Sequence, residues 1–113
     1  MNKEADFTYT FKTKLWKYQG PAGWYFVTVP KQLSKNIRKI HQSSEEGWGR
    51  LKSNAVIAKT SWRTAIWFDT KADAYLLPIK AEVRKKESLQ EGSKVEITLS
   101  IEFEKWFWDK MTK

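Results

Sequence analysis

Two segments of the chain repeat one pattern. Residues 26–39 run from Phe26-Val27-Thr28-Val29 through Pro30 into Lys31-Gln32-Leu33-Ser34-Lys35-Asn36-Ile37-Arg38-Lys39. Residues 74–86 run from Ala74-Tyr75-Leu76-Leu77 through Pro78 into Ile79-Lys80-Ala81-Glu82-Val83-Arg84-Lys85-Lys86. Proline cannot donate to a β ladder and suits the start of a helix, so each segment reads as an apolar strand, a proline stop and a short basic helix. Two such units in 113 residues predict one pseudo-symmetric domain with two comparable basic faces. Aligned on the prolines, the arginine follows by eight residues in the first copy (Arg38) and by six in the second (Arg84).

The rest of the chain reads mostly as strand. Residues 7–17 alternate, with Phe7, Tyr9, Phe11, Thr13 and Leu15 on one face and threonines and lysines on the other, which predicts a half-buried strand. Gln19-Gly20-Pro21-Ala22-Gly23 is a turn cluster, and Trp24 to Val29 reads as a strand covered on both faces. In residues 31–42 the period changes to helical. Leu33, Ile37 and Ile40 are expected inward, and Lys31, Lys35, Arg38 and Gln42 outward, with Lys39 at the border. Residues 43–49 are a loop. Strands are predicted over 51–60, with the apolar run Ala55-Val56-Ile57-Ala58, over 61–68, and over 75–77. A short helix over 79–88 has Ile79 and Val83 inward. A strand over 94–104 places Val95, Ile97, Leu99, Ile101 and Phe103 in the core. Short strands with regular turn signals and two short helices predict a small, mostly-β barrel or sandwich.

The length fits a single domain over residues 1–113, with an aromatic tail over 104–113. The chain has no cysteine, so disulfides, thiolate nucleophiles and cysteine metal sites are excluded, and a cytoplasmic setting fits. The polar start Met1-Asn2-Lys3-Glu4-Ala5-Asp6 has no apolar signal region. The longest uncharged stretch, residues 18–30, is too short and too broken by glycine and proline to span a bilayer, so no membrane insertion is expected.

The stretch Tyr75 to Lys86, followed by Glu91-Gly92-Ser93-Lys94-Val95-Glu96-Ile97, resembles the domain-of-unknown-function family DUF1905. Other landmarks agree: the Phe-rich strand Phe7–Leu15, Gly23-Trp24-Tyr25-Phe26-Val27 leading to Val29-Pro30, and Ser61-Trp62-Arg63-Thr64 before Phe68. The resemblance covers about residues 7–103. It implies a small AbrB-like barrel of swapped-hairpin type, with both copies of the interlocking unit in one chain. Ser93 departs from the aspartate usual after that glycine. The family carries no established activity, so the resemblance implies a fold and no reaction.

The net charge of +8 favours a polyanionic partner or serves solubility. Lys31, Lys35, Arg38 and Lys39 form one basic face. Lys80 and Arg84, one turn apart, form a second, with Lys85 beside them. Each is either a solvated outer face or a phosphate contact. Trp62 and Trp67, next to Arg63, are candidate stacking rings; in period two they fall on opposite faces, so one is expected outward. The tail Trp106-Phe107-Trp108 either caps the barrel or meets a protein partner. Catalysis has little support: the lone His41 ends the first helix, where it suits the dipole, and no metal, cofactor, nucleophile elbow or phosphate loop is indicated. The expectation is a non-enzymatic binding module that meets nucleic acid through its basic helix faces. The alternative is a small anionic-ligand or protein-interaction module, with Trp62, Arg63, Lys80 and Arg84 lining the barrel end. Where the basic side chains point separates the two: an outer stripe favours nucleic acid, convergence on a Trp-lined cavity an anionic ligand.

Overall fold

The computed structural model describes residues 7–102. Phe103 and the Trp106–Trp108 tail lie outside them. Alternation builds the sheet: β1 (Phe7–Lys14), β4 (Arg50–Ile57) and β7 (Lys94–Ile101) each turn every second residue into one core. β2 (Trp16–Lys17), β3 (Tyr25–Thr28), β5 (Thr60–Asp69) and β6 (Ala74–Pro78) complete seven strands in the order β1-β7-β4-β5-β6-β3-β2, with every pair antiparallel. The two ends of that order are one run of chain. Only Leu15 separates β1 from β2, and its backbone still bonds Ser93 and Gly92 (2.9 and 2.8 Å) beside β7. The sheet therefore curls on itself around Leu15, Val27, Leu77, Ile97 and Leu99. The expected small, mostly-β, pseudo-symmetric barrel with two short helices is borne out. Among the described residues no helix is long and apolar enough to cross a membrane.

The halves are related by a shift different from the one the prolines imply. β3 and β6 pair about Val27 and Leu77. Val29 N–H donates to Tyr75 O, and Ile79 N–H donates to Tyr25 O, each at 2.9 Å. Helix α1 (Lys31–His41) is capped by Pro30, and α2 (Ala81–Lys86) by Lys80. The first helical bonds run from Ser34 to Pro30 and from Arg84 to Lys80. Each counterpart lies fifty residues on: Tyr25 and Tyr75, Val29 and Ile79, Pro30 and Lys80, Ser34 and Arg84. The two prolines are not equivalent. Pro30 starts a helix, whereas Pro78 is the last residue of a strand, opposite Phe26. Nor is Arg84 the counterpart of Arg38.

Two further expectations are corrected. The inner face of α1 is Ser34, Ile37 and His41; Ile40 is 54% exposed. The Ser34 hydroxyl donates to Val29 O (3.1 Å) and accepts Tyr75 N–H (3.0 Å), which sets the rotation of the helix and turns Arg38 inward with it. The strand expected around the run Ala55–Ala58 is present as β4, with Ala55 and Ile57 buried. Val56 faces solvent, and β4 ends in a two-residue turn at Ala58, whose φ is 51°. β3 buries Val27 and Val29 on one face only. On the other, Phe26 lies beneath Trp24 (5.9 Å, 10° between planes) and beside Trp16 (5.2 Å).

A basic, tryptophan-lined groove

The groove forms where β5, the turn before β3 and the start of α2 meet. Gly23, with φ of 69°, adopts a backbone shape that side chains disfavour, and this turn delivers Trp24. β5 supplies Trp62, Arg63 and Trp67; the β6–α2 junction supplies Pro78, Lys80 and Arg84. The cavity measures about 390 Å³, within the usual range of small-molecule sites. Trp62 and Trp67 both line it, although strict alternation would part them. Ala65 and Ile66, on opposite faces of an unbroken β4–β5 ladder, are both buried where β5 passes from β4 to β6, so both faces of the strand are covered there.

Arg84 is the most constrained cation here. Its Nε donates to Ile79 O (3.1 Å), and its guanidinium lies 3.8 Å from the centre of the Tyr25 ring. Stacking and that bond occupy one face and one donor, leaving the two terminal nitrogens. Among the described residues no carboxylate pairs with Arg84. Lys80 reaches Glu82 only at 3.7 Å, with both side chains more than half exposed, so that pair is weak. Arg63, largely exposed, is held by Glu102 at 3.0 Å.

The other sequence-derived candidates lie elsewhere. Lys31, Lys35 and Lys39 are exposed on α1, and Lys85 is exposed on α2; none lines the groove. Arg38 does not join the outer basic face. It lies 3.8 Å from the centre of the Phe68 ring, and its buried Nε is 3.5 Å from Glu45 Oε2, close enough for charge attraction but without hydrogen-bond geometry. Glu45 also accepts the Tyr75 hydroxyl. Burial, then that bond and the charge of Glu45, push the Tyr75 phenol well above its ordinary range, so it stays a donor. His41 ends α1, as expected, but does not face solvent. It is buried 3.1 Å from the Tyr9 hydroxyl and edge-on to Phe7, and burial lowers its pKa.

Sequence reasoning missed Trp24 and Tyr25 as groove residues, and Glu45 and Tyr75 as partners of Arg38. The one available signal was the tyrosine recurring fifty residues on, which an alignment on prolines hides.

A family model, domain of unknown function DUF1905, matches residues 11–99. The chain belongs to the DUF1905 family. The matched span contains both halves and the groove-lining residues named above. No curated protein matches the chain.

Proposed function

We propose that this DUF1905 domain is a non-enzymatic binding module that takes a small anionic ligand in the groove. The observation that carries the reading is Arg84: stacked, half-buried and without a carboxylate partner among the described residues, in a cavity walled by tryptophans. A guanidinium held in one orientation recognises an oxyanion at little entropic cost, and indole rings give a ligand apolar area. His41, the single histidine, is buried away from the groove, which supports binding over acid–base chemistry. The lack of cysteine supports a cytoplasmic setting. Ligand-observed NMR with mixtures of aromatic carboxylates, phosphates and sulfonates tests the reading. Signals from at least one class, weakened in Arg84→Gln, are expected; silence from every class removes it.

A second reading, nucleic-acid contact, has one observation in its favour. Lys14 stands directly across from Lys94, beside Lys12, on an open concavity of about 560 Å³. Like charges opposed across a ladder destabilise it, and a phosphate backbone laid between them would relieve that. Labelled duplex and single-stranded DNA and RNA, titrated at low and physiological salt, decide it. Binding that falls with salt and is lost in a Lys14→Ala/Lys94→Ala variant supports contact, and no binding at low salt removes it.

A further inference from the structure

We infer that the groove takes a carboxylate on a flat aromatic skeleton: Arg84 offers two terminal nitrogens among tryptophans, and elsewhere in the molecule a ring-stacked arginine already has a carboxylate beside it. The inference rests on the anionic-ligand reading above and narrows it.

Tyr75 and Tyr25 occupy equivalent places, each giving its carbonyl to the N–H of the strand–helix junction opposite. Around Tyr75 the site is filled. The Glu45 carboxylate accepts the tyrosine hydroxyl and lies 3.5 Å from Arg38. Arg38 is laid on Phe68, which meets Tyr75 edge-on at 5.2 Å. A carboxylate thus sits between a tyrosine hydroxyl and an arginine stacked on a ring. Around Tyr25 an arginine also lies on a ring, in a different arrangement and, among the described residues, without an acid: Arg84 comes from a position not equivalent to Arg38 and lies on the tyrosine itself. Arg84 is stacked on Tyr25 at the same 3.8 Å. The acid that follows α2, Glu87, is turned to the β4–β5 turn, where it accepts from Thr60 Oγ1 (2.7 Å) and Lys59 N–H (3.3 Å). Beside Arg84 lies an open cavity faced by Trp24, Trp62 and Trp67.

The two terminal nitrogens left on Arg84 match the two oxygens of a carboxylate. A phosphate dianion calls for more donors, and the nearest further cations, Lys80 and Arg63, already have acidic neighbours. The indoles supply area for a ring, so a bare small acid would gain little.

Isothermal titration of the full chain with 2-naphthoate, 2-naphthyl phosphate, 2-naphthalenesulfonate, 2-naphthamide and acetate tests this. Naphthoate is expected to bind tightest, with naphthamide about tenfold weaker or more, and acetate weaker still. Arg84→Gln is expected to bring naphthoate down to the level of naphthamide. If that variant fails to fold, wild-type NMR replaces it: naphthoate should shift the indole N–H signals of Trp24, Trp62 and Trp67. Tighter binding of the phosphate or sulfonate overturns the carboxylate assignment while leaving the anionic-ligand reading standing. Equal binding of naphthoate and naphthamide, or no binding of any probe, overturns both. Shifts confined to residues outside the groove overturn the site.

Discussion

Arg38 and Arg84 carry the same geometry to different ends. Each guanidinium sits 3.8 Å from an aromatic ring centre, and each comes from the helix that follows a β3- or β6-type strand. Around Arg38, α1 is eleven residues long and is followed by a turn that brings Glu45 back to the tyrosine. Around Arg84, α2 is six residues long, and its following acid fastens a neighbouring hairpin instead. A ring-stacked cation is thereby a structural lock in one half and, in the other, the anchor of the proposed ligand groove. Duplication supplies two copies of a scaffold, and the acid that follows each helix is used differently: Glu45 returns to Tyr75, and Glu87 fastens the β4–β5 turn.

The sharpest way to break this comparison is to empty the closed half. Glu45→Ala leaves Arg38 and the Tyr75 hydroxyl without their acceptor, and is expected to cost about 2–3 kcal/mol. Arg84→Ala, which loses ring stacking and one backbone bond, should cost about 1 kcal/mol. Urea unfolding with an unchanged m-value measures both. Formate or acetate should restore part of the stability of Glu45→Ala and leave that of Arg84→Ala unchanged. Equal costs for the two variants would end the distinction between lock and receptor.

The closed half should also be the acid-sensitive one, because His41 is buried there and α2 has no histidine. Burial lowers the folded pKa of His41 below its ordinary 6.5. Between those two values the unfolded chain binds more protons, so stability rises with pH in that window. It is full above about pH 6.5 and is lost as pH falls from there toward the folded value. Urea midpoints measured between about pH 5 and pH 8 should show this slope, and His41→Gln should flatten it.

The smallest effects concern the rim of the open half. Arg63 and Lys80 are exposed and already face Glu102 and Glu82. Alanine at either should weaken naphthoate by less than about threefold, against about tenfold for Arg84→Gln. A rim substitution that matches the Arg84 effect would move the centre of the site outward.

Much of the fold was legible because alternation is a local property. Val95, Ile97, Leu99 and Ile101 face inward wherever that strand is placed, and Pro30 ends a strand in any context. The basic, tryptophan-rich composition was also within reach of the residues alone, whereas the convergence of Trp62, Arg63, Lys80 and Arg84 stood only as one of two alternatives. The rotation of α1 was not within reach. It depends on the Ser34 hydroxyl meeting a backbone N–H forty-one positions away, and a helical wheel that ignores this turns Arg38 to solvent and Ile40 to the core. The pairing of Glu45 with Tyr75, the true fifty-residue relation between the halves and the empty place beside Arg84 have the same origin. Each is a contact between segments distant in the chain, and the periodicity of one segment holds no record of its partner.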